Sequence, residues 1–182
     1  MEYLCWHRDR SESEALRGEL IESHWSYMDR YAKEMIARGP TFAAGSDTLT
    51  GSLHILDLPD AAAARAFAFD EPNFQAGVYR DVLLRRWRNS LGRTMWDFPG
   101  GSEGSDRYFV LGLAPDPVSD LERPTEDGRL IAHGPLLSDD AANWLGTAAL
   151  LRAPSPDAAR DVLAPHRYAQ VEVHSWEFGG RR

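Results

Sequence analysis

The chain of 182 residues contains one cysteine, Cys5, and one lysine, Lys33. A lone cysteine excludes an internal disulfide and fits a reducing compartment. A lone lysine leaves Schiff-base chemistry almost without a candidate. No apolar run approaches the roughly 20 residues needed to cross a bilayer, and the opening MEYLCWHRDR lacks the basic and apolar regions of a secretory signal. A cytoplasmic protein with no membrane partner is expected. Positive charge is also scarce: 20 Lys and Arg stand against 28 Asp and Glu, a formal net charge of -8. Nucleic acid, which demands clustered cations, is therefore excluded as a partner. His133, His166 and His174 lack paired metal-ligand spacing, and Glu172 with His174 on one strand face makes only a two-residue set. Pro99-Gly100-Gly101-Ser102 is no phosphate loop, because it does not join a strand to a helix. No metal and no cofactor are expected.

What is present is enough apolar material for a core: 43% hydrophobic residues, 10% aromatic, with six tryptophans, including Trp6, Trp96 and Trp144, expected to fill it. Tyr3 to Arg8 alternates as a strand. Ser11 to Arg38 has helical spacing, with Leu16, Leu20, His24, Tyr27, Tyr31 and Met35 on one face, and Gly39-Pro40 as its stop. Strands follow around Thr41 to Ala44 and at Ser52 to Leu58. Asp60 then caps a short helix reaching Phe69, and Val78 to Arg86 closes the unit as a strand. This β-α-β-β-α-β order is that of ferredoxin-like domains, with both helices on one face of an antiparallel sheet. The other face needs a cover, since Tyr3-Leu4-Cys5-Trp6 is apolar on both sides.

Residues 98–106, FPGGSEGSD, read as a linker. They divide the chain into a first domain, 1–97, and a second, 107–182, that repeats the pattern in degenerate form. Tyr108 to Ala114 resembles the first strand, Ile131-Ala132-His133-Gly134 parallels Phe42-Ala43-Ala44-Gly45, Pro156 to Arg160 parallels Asp60 to Arg65, and Trp176 parallels Trp87. Pro115, Pro117 and Pro124 break the segment where the long helix would lie, and Pro165 stands opposite Asp70 with His166 beside it. The fold class expected is α+β: a tandem duplication whose two antiparallel sheets pack face to face as an intramolecular pseudo-dimer, with a site in one half only.

The stretch 51–87 joins a strand, an alanine-rich helix, an acidic turn and a closing strand. Its Asp70 is a candidate partner for His24, a carboxylate orienting an imidazole for proton transfer. The same residues also read as a core histidine and an ordinary turn aspartate. Arg17, on the same helix, is a candidate for binding an anionic substrate, and Trp25 and Tyr27 for lining its pocket. Cys5 has His7 two residues on as its only nearby base.

Four pieces together resemble the YciI-like (YCII-related) family: the helix-borne His24 in Glu22-Ser23-His24-Trp25-Ser26-Tyr27, the Gly39-Pro40-x-x-x-Ala44-Gly45 segment, Gly51-Ser52 opening a strand, and the acidic turn Asp70 to Gly77. The resemblance covers the first half. It implies a dimeric α/β-barrel fold, usually a homodimer, and a catalytic His-Asp pair at His24 and Asp70, although the family's Asp-Pro is here Asp70-Glu71-Pro72. An aromatic dehydrochlorinase is one activity assigned in that family. The reading is a cofactor-independent lyase or isomerase for a small anionic or aromatic molecule, working as a monomeric pseudo-dimer or a homodimer. The alternative is a non-catalytic ligand-binding or accessory protein of a metabolic pathway.

Overall fold

Residues 1–43, 45–102, 106–118 and 128–180 are described in the computed structural model. Ala44 of the resemblance segment, residues 103–105 of the expected linker and Pro124 lie outside them. The first half runs β1 (Glu2–Asp9), α1 (Glu14–Glu19), α2 (Ile21–Asp29), β2 (Met35–Phe42), β3 (Leu49–Asp57), α3 (Ala61–Phe69), α4 (Pro72–Gln75) and β4 (Tyr79–Trp87). The second half runs β5 (Arg107–Val118), β6 (Leu130–Leu137), β7 (Trp144–Arg152), α5 (Pro156–Arg160) and β8 (Gln170–Trp176).

Alternation along β1 shows why two layers form. Leu4 and Trp6 point into one core with Ile55, Phe109, Ile131 and Leu150, whereas Tyr3 and Cys5 point the other way, into a second core with Tyr27, Met28 and Phe67 of the helices. Both faces are thus buried, as a strand apolar on both sides requires. The inner core draws on both halves, and Trp6 meets Phe109 edge-on with ring centroids 5.1 Å apart. The expected face-to-face packing is present, and the sheet edges are joined as well. All eight antiparallel strands close one barrel in the order β1-β3-β2-β8-β5-β7-β6-β4, with β4 returning to β1. Closure gives each described strand a partner on both sides.

The seams between halves are short. One pairs Thr41 with Trp176 and Phe42 with Ser175; the other pairs Arg86 with Leu137 and Trp87 with Leu136. Backbone bonds prolong each seam: Gly179 N–H donates to the Arg38 carbonyl (3.0 Å), and Ser90 N–H to that of His133 (2.9 Å). The tail beyond β8 therefore runs along β2.

Three expectations change. The first helix breaks at Leu20 and ends at Asp29, and Gly39-Pro40 lies inside β2. Residues 30–34 continue helical-type turns, which preserves the spacing up to Met35, but Ile36 and Ala37 are drawn into the barrel core. Long-range strand pairing overrides the local pattern here. The repeat also has a different register. Gly39 faces Leu53 and Gly134 faces Ala148, while a β-carbon at either glycine would overlap the backbone across its own seam, at Glu177 and at Arg88 respectively. Ile131-Ala132-His133-Gly134-Pro135 thus parallels Ile36-Ala37-Arg38-Gly39-Pro40, and Gly134 does not parallel Gly45. Finally, Trp6, Trp87 and Trp176 fill the inner core, whereas Trp96 is 52% exposed and Trp144 is buried against Tyr168.

Candidate active site

The outer face of β1 and β3 carries polar residues where the helices leave it. His7 on β1 and Ser52 and His54 on β3 are all buried, His7 against the Ala68 carbonyl of α3, Ser52 against Arg17 of α1 and His54 against the His24 ring of α2. A cavity of about 370 Å³ opens there, bordered by Arg17, His24, Trp25 and Met28 from the helices, Arg38 to Pro40, Phe42, Ser52 and His54 from the sheet, Asn73 from α4, and Phe178 to Gly180 from the tail.

At its edge, His24 Nδ1 lies 2.7 Å from Glu71 Oε1. The imidazole meets Glu71 in place of Asp70. Asp70 caps the C-terminal end of α3 and is exposed, while Glu71 is fully buried as the N-cap of α4, its Oε2 accepting the Phe74 N–H at 2.8 Å. One residue further along the turn decides which acid enters the fold. Burial works against the Glu71 charge, but the His24 hydrogen bond and charge, together with the Phe74 N–H, hold its carboxyl below the usual range. An ionised Glu71 can only accept, so Nδ1 carries the proton and Nε2 of a neutral ring keeps its lone pair.

Arg17 borders the cavity, but Asp9 takes its charge, with Nη1 donating to both carboxylate oxygens at 2.7 and 2.8 Å and Nη2 to Ser52 Oγ at 2.7 Å. Trp25 lines the cavity as expected. Tyr27 does not: it is 6% exposed in the outer core, and its hydroxyl donates to the carbonyls of Ala66 (3.1 Å) and Phe67 (3.2 Å). Its place, one residue round the helix from the cavity-facing stripe, turns it onto α3. Cys5 is also buried, 3.7 Å from His7 Nδ1, and burial raises its thiol pKa, which suits a small core residue better than a nucleophile.

His54 and Asn73 are site residues that sequence reasoning missed. Both are buried cavity borders, and His54 Nδ1 and Asn73 Oδ1 lack a hydrogen-bond partner among the described residues. The available signal was the spacing of His54 from Ser52, two residues along one strand and hence on one face. In the second half, Gly112 stands at the position of His7 and Ala149 at that of His54, and the Tyr168 ring packs against Gly112 with its hydroxyl 2.9 Å from Thr147 Oγ1. That space is filled by protein. Among the described residues, no group of three or more His, Cys, Asp or Glu could hold a metal ion, and no helix is long and apolar enough to cross a membrane.

Burial lowers the His7 pKa to about 4 against the opposing pull of the Ala68 carbonyl and Glu71, and burial followed by the charge of His24 lowers that of His54. The unfolded chain takes up both protons around the ordinary histidine value of about 6.5, whereas the folded chain takes up that of His7 only near 4 and holds that of His54 off as well, in the same direction. Stability present above about pH 6.5 is therefore lost as pH falls toward 4, with His7 alone worth about 3 kcal/mol. A melting temperature clearly lower at pH 5 than at pH 7.5 is expected; equal values would mean that these rings are not held neutral.

Fold and site together define a ferredoxin-like α/β barrel of the dimeric type, closed within one chain, with an imidazole–carboxylate pair on a cavity between helices and sheet. Residues 1–88 match the model of the YCII-related domain. No curated protein matches the chain. Among solved structures, a heme-binding protein from Thermus thermophilus is 9% identical over 96% of this chain and 90% of its own, with a TM-score of 0.51. A putative monooxygenase from Fusobacterium nucleatum is 9% identical over 97% of this chain and 91% of its own, with a TM-score of 0.50. At such identities the likeness is one of fold, over both halves. The 5-chloro-2-hydroxyhydroquinone dehydrochlorinase from Burkholderia phenoliruptrix, in complex with 2,5-dihydroxybenzoquinone, is 26% identical over 48% of this chain and 94% of its own, with a TM-score of 0.46.

Proposed function

We propose that the chain is a cofactor-independent lyase or isomerase that moves a proton on a small molecule held in the cavity. The observation that carries the reading is the 2.7 Å bond between His24, at the cavity edge, and the fully buried Glu71. His24 Nε2 takes a proton from a C–H or O–H of the substrate, and Glu71 stabilises the imidazolium that results. The electron pair left behind either moves along the substrate, so that the proton returns at another carbon, or expels a leaving group that the imidazolium protonates. Trp25, Phe42 and Phe178 supply an apolar wall.

Proton exchange reports this chemistry whichever product forms. Small hydroxylated and carboxylated compounds are incubated with the protein in D₂O, and loss of C–H proton signals is followed by NMR. Glu71→Gln, which keeps the shape and removes the charge, is expected to slow exchange by at least about tenfold, equivalent to ~1.4 kcal/mol. Asp70→Asn is expected to leave it unchanged. The opposite ranking, or exchange indifferent to both substitutions, overturns the assignment.

A further inference from the structure

The charges around the cavity do not balance evenly. Arg17 is neutralised by Asp9 and His24 is matched with Glu71, and although Asp29 also borders the cavity, no described carboxylate pairs with Arg38, which sits half-buried on the cavity wall. Its guanidinium makes a single hydrogen bond among the described residues, Nε to the Gly179 carbonyl at 3.3 Å. The ends of the fork donate to nothing described. A guanidinium has five N–H donors in a planar array that matches a carboxylate in two parallel bonds.

The fork is also held in place from two sides. Trp96 lies under it, with the ring centroid 5.9 Å from Cζ. The tail from the second half covers it: Gly179 bonds both the backbone and the side chain of Arg38, and Gly180, at φ 122°, lies so close that a β-carbon would overlap the guanidinium. The backbone angle favours glycine, and a side chain there would push the guanidinium out of its present place. The counterpart of Arg38 in the second half is His133, so this fork exists once per chain.

We infer that Arg38 is the anion anchor of the cavity and that the ligand carries a carboxylate or a similar planar oxyanion, with the second half serving the site by clamping that arginine through its tail. The inference rests on the cavity being the ligand site, as the proposed function has it, but not on His24 being a base. Arg17, already satisfied, shapes the wall.

The test uses benzoate and its neutral isostere benzamide as probes, with affinities measured by ligand-observed NMR on the full chain. Wild type is expected to bind benzoate at least about tenfold more tightly than benzamide. Arg38→Gln is expected to abolish that preference while leaving benzamide binding unchanged, which also shows that the cavity is intact. Arg38→Lys, which keeps the charge but loses the fork, is expected to fall between the two. Equal binding of the two probes by wild type, absence of benzoate binding at millimolar concentration, or a preference that survives Arg38→Gln overturns the inference. Because binding and proton exchange are separate readouts, a lost preference in Arg38→Gln alongside exchange that is indifferent to Glu71→Gln would sustain the anchor and remove the catalytic reading.

Discussion

Replacing His24 by glutamine is expected to reduce proton exchange by about 10²- to 10⁴-fold, the range that a positioned general base contributes, with little change in melting temperature. Glutamine is the informative choice because an alanine would strand Glu71, which is fully buried and whose other oxygen is already committed to the Phe74 N–H. The glutamine amide can still donate to Glu71 but has no basic nitrogen. His24 has 11% of its side chain exposed, at the cavity edge, so the substitution leaves no void in either core. A large fall in stability with exchange intact would identify His24 as a packing residue. Exchange lost without a change in the melt would identify it as the base.

Trp176→Ala is expected to destabilise the fold by about 3–5 kcal/mol, or a fall of about 10 °C in melting temperature for a chain of this size. Trp176 is 1% exposed, and each seam of the barrel is held by only two ladder pairs, so the indole and its counterpart Trp87 do much of the joining by packing. Trp176 also supports the cavity, since it packs on Gly39 and on Phe178, its ring centroid 5.0 Å from that of Phe178. Benzoate affinity should therefore weaken along with stability. A melt within about 2 °C of wild type would mean that the seam does not depend on this side chain.

Much of this was legible in the chain. Two-sided apolarity in Tyr3 to Trp6 demanded covers on both faces, Asp60 marked a helix start that the Ala63 N–H confirms by donating to it at 2.8 Å, and the worn repeat implied that the second half covers the first. His24 stood out on its helix, and the acidic turn was the right place to seek its partner. The choice between two adjacent acids was not legible, because Asp70 and Glu71 are both ordinary turn residues locally. They differ only once α4 begins and its first turn draws Glu71 inward as an N-cap.

The sequence by itself determined the alternation of elements, the need for a covered inner face and the candidacy of His24, because these follow from local periodicity and from apolar surface that must be buried. Only the tertiary structure decided that Gly39-Pro40 runs through a strand, that Glu71 is the carboxylate bonded to His24, that Arg38 borders the cavity with no carboxylate partner among the described residues, and that Tyr27 is core. Each of those outcomes depends on a neighbour distant in the chain: Glu177 and Gly179 from the far end for Gly39 and Arg38, Glu71 for His24, and the Ala66 and Phe67 carbonyls for Tyr27. Local patterns cannot encode such meetings, since the free energy that selects them comes from closing the barrel.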